Sequence, residues 1–198
     1  MMASRAQLHR IAWFLGAAII LLLAAVSARA DLNPFSSYND NVARAAAKND
    51  AYKVRQLVGS GSGSNPNQVD ESGRTGLQIA AINGNLQIAA ILIKASANLD
   101  LKDKLGNTAL HYATDRNQAE MAQLLLDVKA AVDPENKNGM TPLMIAASRG
   151  NLEIVQALLA KGANVRKVDF TGRDALGWAT EGRRPAVVQA LQRAASKR

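Results

Sequence analysis

Glycine stands at positions 73, 106, 139 and 172, four times at one spacing of 33 residues. Three further columns keep the same ruler: Leu77, Leu110, Leu143 and Leu176; Ala80, Ala113, Ala146 and Ala179; and Leu92, Leu125, Leu158 and Leu191. Self-similarity at a period of roughly 20–50 residues marks a chain built from supersecondary units that cannot bury their apolar faces alone. Such a chain folds as a one-dimensional stack in which each unit is held by its neighbours.

The third copy shows what a unit contains. Thr141-Pro142 supplies an N-cap followed by proline at the first helical position, where a missing N–H costs nothing. The run PLMIAASR ends at Gly150, a residue able to take the left-handed conformation that closes a helix. A second helix is predicted from Leu152 to Lys161, with Ile154, Val155, Leu158 and Leu159 on one side and Gly162 closing it. Each unit therefore reads as a turn, two short helices and an extended connection.

The segment GMTPLMIAASRGNLEIVQALLAKGANV (139–165) resembles the ankyrin repeat, whose pattern is G-x-T-P-L-H-x-A-A. GRTGLQIAAINGNLQIAAILIKASANL (73–99) and GNTALHYATDRNQAEMAQLLLDVKAAV (106–132) are similar to it as well. With its caps the resemblance covers almost all of residues 39–194. It implies an all-α solenoid of stacked helix-turn-helix units with hairpin loops. The units are a degenerate N-cap repeat at 39–69, repeats at 70–102, 103–135 and 136–168, and a C-cap repeat at 169–198. It also implies a non-enzymatic role in binding another protein, of the kind exported to the bacterial periplasm.

The departures from the pattern carry expectations of their own. The histidine column reads Gln78, His111, Met144 and Gly177, so one copy keeps the imidazole. The resemblance gives His111 a structural role, hydrogen-bonding between neighbouring turns. The helix-ending glycine column reads Gly84, Asn117, Gly150 and Arg183. Asparagine tolerates the left-handed region but arginine does so poorly, so the last turn is expected to shift onto Gly182, with Pro185 opening the final helix. Gln192 replaces Ile93, Leu126 and Leu159, as a polar terminal cap requires. The first unit is out of register by two residues, and the excess falls in the flexible loop GSGSGSNPN (59–67).

The first 30 residues differ in kind from the rest. They hold Arg5, Arg10 and Arg29 and no acid, and an uncharged run extends from Ile11 to Ala28. A basic start, an apolar run and the small-x-small triplet Ala28–Ala30 form a secretory signal, with cleavage expected before Asp31. The same run reaches the minimum length of about 17 residues for a membrane span, so an uncleaved anchor is the alternative. Either way the remainder is exported: to the periplasm in a bacterium, free or anchored in the inner membrane facing that compartment. Residues 31–38 form a short tether.

Net charge is +8, but it is unevenly placed: residues 161–198 carry nine basic and three acidic side chains. A local basic end, with few aromatic residues beside it, is not a nucleic-acid-binding composition; it suits a solvated cap or a patch that docks on an acidic or anionic surface. The chain has no cysteine, which removes thiol catalysis and cysteine metal sites. Beyond residue 30 the one histidine is His111, and Asp70, Asp103, Asn136 and Asp169 precede the turn glycines by three. Side chains of that type close tight turns by accepting backbone N–H bonds. Together these readings give no catalytic residue, no metal and no cofactor.

A partner is expected at the hairpin tips and the exposed ends of the first helices, the edge through which ankyrin-like folds bind. Mapped onto this chain, that edge is Lys104, Leu105, Asn107, Lys137, Asn138, Met140, Phe170 and Arg173 at the tips, with Arg116 and Arg149 on the helices. Leu105, Met140 and Phe170 form an apolar stripe if all three face water, and aligned exposed apolar groups mark contact sites. Tyr112 and Trp178 share a column with Ile79 and Ile145 and are expected to pack between units. The expected ligand is another protein, with no nucleic acid, and with membrane contact only through an uncleaved N-terminal segment.

Overall fold

The computed structural model describes residues 41–59 and 64–196. The expected signal segment (1–30), the tether (31–38) and the middle of the Gly/Ser loop lie outside the described residues. Within them the chain forms five helix pairs. These are α1 (Val42–Ala47) and α2 (Ala51–Val58), α3 (Gly76–Asn83) and α4 (Leu86–Lys94), α5 (Ala109–Asp115) and α6 (Ala119–Asp127), α7 (Pro142–Arg149) and α8 (Leu152–Ala160), and α9 (Ala175–Glu181) and α10 (Pro185–Ser196). The first helices stack in one row, α1 through α9; in the second row α2 packs on α4, α6 on α8 and α8 on α10.

The repeated columns account for this packing. Leu77, Leu110 and Leu143 are buried, as are Leu92, Leu125, Leu158 and Leu191, while Ala80, Ala113, Ala146 and Ala179 have no exposed surface at all. Alanine in the inner row lets successive helices approach closely without a cavity. Leu176, in the last of the described units, is only half-buried. On α8, Ile154, Val155 and Leu158 are buried and Leu159 is half-buried, which is the predicted stripe.

The ends of the helices follow local chemistry. Thr75, Thr141 and Asp174 accept the backbone N–H three residues on, relieving amides that the helix itself leaves unpaired. Gly84 and Gly150 close their helices in the left-handed region, and Asn117 does so at φ 54°. The last copy differs from expectation. Gly182 stays right-handed at φ −71°, and Arg183 itself takes the left-handed conformation at φ 53°. The cause is register: Arg184 N–H must reach the Ala179 carbonyl (2.9 Å), as Asn85 reaches Ala80, Gln118 reaches Ala113 and Asn151 reaches Ala146. Holding that bond outweighs the left-handed penalty of about 1–2 kcal/mol. Pro185 opens α10 as predicted.

Each tip is the same closed turn. Asp70 Oδ1 accepts the N–H groups of Ser72 and Arg74, Asp103 Oδ1 those of Leu105 and Asn107, Asn136 Oδ1 those of Asn138 and Met140, and Asp169 Oδ1 those of Thr171 and Arg173. Successive tips then bond to each other through the backbone: Lys104 N–H to Ser72 carbonyl, Lys137 to Leu105, and Phe170 to Asn138. The turn glycine lies under this contact. A methyl on Gly106 would stand 2.7 Å from the Lys137 nitrogen, whereas Gly172, with no following tip, has nothing within 4 Å.

Two more ladders tie the units. Asn67, Asp100 and Asp133 accept the N–H groups of Asn98, Ala131 and Asn164. Gln78 and His111 each bridge to the next unit. Gln78 Nε2 donates to the Asn107 carbonyl (2.7 Å), and His111 Nε2 meets the Met140 carbonyl 3.1 Å away, the same bond one repeat later. Thr108 N–H, which can only donate, points at His111 Nδ1 (3.0 Å). Nδ1 is therefore unprotonated and the proton sits on Nε2. The structural role expected of His111 is the one it has.

Burial lowers the His111 pKa from 6.5 to about 4, against the weaker opposing pull of the Met140 carbonyl. A proton on Nδ1 would also break the bond from Thr108. An unfolded chain takes up that proton near pH 6.5 and the folded one only near pH 4, so stability should fall on acidification between those values. The full loss is of order 3 kcal/mol. His111→Gln, which installs the residue of the preceding repeat, should flatten that window in urea melts at several pH values. Asp70 and Asp169 have lowered pKa values; burial opposes this, and hydrogen bonds to each carboxylate outweigh it. Their contribution is present above the usual carboxylate pKa and is lost below it, so it should remain in the variant. A second expectation concerns the stack. Leu125→Ala or Leu158→Ala should cost about 2–5 kcal/mol. Leu191→Ala should cost less, because α10 has a neighbour on one side only. Equal losses at the three sites in denaturant melts would contradict a one-dimensional stack.

Candidate partner-binding groove

Between the tips and the ends of the inner helices runs a groove of about 430 Å³, lined by Asn107, His111, Tyr112, Asp115, Asn136, Met140, Ile145, Ser148, Arg149, Trp178 and Arg184. Its walls come from α5, α7 and α9, and its rim from the turns that precede α5 and α7 and follow α9. The repeat geometry places them: residues one unit apart fall side by side.

Tyr112 and Trp178 are held there by the turn acids. Asp103 uses one carboxylate oxygen for its turn, and the Tyr112 hydroxyl donates to the other. Trp178 Nε1 donates to Asp169 Oδ2 (2.9 Å) in the same relation, nine residues on. Where that column holds isoleucine the second turn atom is answered differently: Arg74 pairs with Asp70 (2.7 Å), and Asn136 carries an amide that donates to Asn107 Oδ1 (3.0 Å). Burial, with the Asp103 carboxylate beside it, raises the Tyr112 pKa and keeps the phenol protonated. Both rings are half-buried. They do pack against the core as expected, but they also face the groove, which the column reading did not anticipate. The available signal was the hydrogen-bonding aromatic nine residues after a turn aspartate.

The charged groups are mostly paired. Arg149 meets Asp115 through two nitrogens at 2.6 and 3.0 Å. Arg116 lies 4.0 Å from the same carboxylate. Arg173 pairs with Glu181 (2.8 Å) and lies over the Trp178 ring, 4.8 Å from its centre. Among the described residues no three His, Asp or Glu side chains come together as a metal ion would need.

The sequence-predicted residues divide into two groups. Asn107, Met140 and Arg149 line the groove. Lys104, Leu105, Lys137, Asn138, Phe170 and Arg173 are exposed at the tips, and Arg116 is exposed at the end of α5. Leu105 is 63% and Phe170 76% exposed, but Met140 is half-buried and packs on the core. The expected apolar stripe is therefore broken at its middle. Met140 follows the turn closed by Asn136, and its carbonyl faces His111, which draws it inward. Phe170 is not wholly free either: its ring lies over the Gly139 backbone, where a methyl would stand 2.7 Å from it.

A family model for ankyrin repeats in three copies matches residues 42–136 and again 128–197. Comparison with curated proteins gives no match. The family match and the stacked helix pairs at a 33-residue ruler agree: the chain belongs to the ankyrin-repeat family, whose repeats are in general modules for binding other proteins.

Proposed function

We propose that this protein is an exported, non-enzymatic binding scaffold that works in the bacterial periplasm or cell envelope, meeting its partner along the groove and the tips beside it. The observation that carries the binding surface is the groove itself. It combines the half-buried rings of Tyr112 and Trp178 with the Arg149–Asp115 ion pair, and the exposed tips beside it present Leu105 and Phe170 to solvent. Interfaces draw their affinity from a few such aromatic and arginine anchors. His111 and the turn aspartates, the groups nearest to chemistry, spend their hydrogen bonds on the stack. Export rests on the basic, apolar and small-residue pattern of residues 1–30.

A second reading, a membrane-anchored envelope adaptor that docks its basic C-terminal unit on an acidic or anionic surface, is favoured by one observation. Arg183, Arg184 and Arg193 are all exposed on or beside α10. Mass spectrometry of the protein recovered from an exporting host separates the two. A mature chain beginning near Asp31 in the soluble envelope fraction is expected; an intact N-terminus in the membrane fraction would establish the anchored form. For the binding edge, the double change Leu105→Ser and Phe170→Ser is expected to leave the melting temperature within a few degrees. It should weaken capture of the partner from an envelope extract by about 2 kcal/mol or more if these residues are anchors. Undiminished capture by a normally folded variant would remove the tips from the interface.

A further inference from the structure

We propose, resting on that reading of the groove, that it takes an acidic segment of the partner protein. One partner carboxylate pairs with Arg184 while a neighbouring apolar side chain lies over Met140 and Trp178. The arginines around the groove differ in whether they are paired. Arg149 is occupied by Asp115, and Arg173 by Glu181. Among the described residues no carboxylate lies within salt-bridge distance of Arg184.

Arg184 is also held in place. Its side chain crosses the two glycines that face it: a methyl on Gly150 would stand 2.6 Å from its Cδ, and one on Gly182 would stand 3.4 Å from its Cγ. The same column in the earlier units holds Gln118, which lies over Gly84 in the same way, and Asn151, which donates to the Thr114 carbonyl (2.8 Å). The first copy holds Asp50 there, and only the last places a cation. A cation whose stem is already packed loses less freedom on binding than a free surface arginine, and a guanidinium meets a carboxylate through paired, charge-assisted hydrogen bonds.

No acid in the groove competes for it. Asp115 is neutralised by Arg149, Tyr112 stays protonated, and the carboxylates of Asp103 and Asp169 are filled by turn amides and by the aromatic donors. Arg183, exposed next in the chain, adds to the positive field. A recess of about 430 Å³ admits one or two side chains of a polypeptide. A bilayer surface would meet the projecting tips first. The shape therefore favours an acidic protein segment over anionic lipid.

Panning a library of random displayed peptides against the full chain tests this. Peptides rich in Asp or Glu beside an aromatic or aliphatic residue should be selected, and their binding should weaken as salt is raised. Arg184→Gln, which keeps methylenes over the glycines, should reduce the affinity of the selected peptides roughly tenfold or more. Arg184→Lys should recover much of it, and neither change should move the melting temperature. Peptides that bind and are weakened by a Trp178→Phe variant that melts normally, yet show no acidic enrichment or no response to Arg184→Gln, would overturn this inference and leave the groove reading intact. Failure to select any peptide, or selection of peptides indifferent to both residues, would overturn both. Binding to phosphatidylglycerol vesicles that depends on Arg184, with no peptide selected, would assign the cation to a lipid surface and overturn the proposal.

Discussion

One side-chain oxygen accepting two backbone N–H groups, four times over, sets the geometry on which the remaining contacts depend. At Asp70, Asp103, Asn136 and Asp169 it closes a turn of five residues. Only a closed turn presents Ser72, Leu105 and Asn138 carbonyls to the next tip in the right direction. The turn also fixes where α3, α5, α7 and α9 begin, hence which alanines meet in the inner row. A 33-residue unit has too little apolar surface to fold alone. Its stability is shared with its neighbours, through the leucine columns and through bonds such as Gln78 to Asn107 and His111 to Met140.

The last unit shows what the neighbour contributes, because there the demand ceases. Gly177 replaces the bridging side chain where no loop among the described residues lies ready to receive it, and Gln192 is exposed where Leu126 is buried. Gly172 keeps its left-handed φ of 80° but has no tip lying on it. What remains in this unit is its own helix closure and its contact with the preceding tip. Arg183 accepts an unfavourable conformation to keep the Arg184–Ala179 bond, and Phe170 pairs with Asn138. Met144 is an intermediate case: its thioether cannot donate to the next unit as an amide or imidazole can, and it is buried as filling instead.

The fold could be read from the sequence because its columns are local rules repeated: turn glycine, N-cap and apolar stripe, each at a fixed phase. The turn role of the aspartates was readable for the same reason; the bridging role of His111 came instead from the resemblance to the ankyrin repeat. Arg183 was misjudged because a residue's own conformational preference was set against a register that only the stack imposes. Met140 was misjudged because a tip position says how close a residue is to the turn, not which way its side chain faces. The groove was harder still. Its aromatic lining depends on which carboxylate oxygen is left over after the turn is closed, a count that spans two columns. Arg184 stood in the sequence only as part of a basic end; its packed stem depends on Gly150, one repeat earlier in the chain.

Groove and stack are made of the same atoms, and this bears on how binding and folding separate. Met140 lines the groove with its side chain and receives His111 with its carbonyl. Trp178 faces the groove with its ring and fills Asp169 with its N–H. Replacing Trp178 would therefore loosen a turn as well as a contact, whereas replacing the Met140 side chain leaves its carbonyl in place. An unpaired buried acceptor costs about 1–3 kcal/mol, comparable to what an interface anchor contributes. The same coupling works in the other direction. A partner pressed on Trp178 would push on the turn that positions Phe170 and Arg173, so tips and groove present themselves as one surface rather than as independent sites. The residues that can report on binding alone are those whose polar ends are not used by the stack: Leu105 at the tip and the guanidinium of Arg184 in the groove.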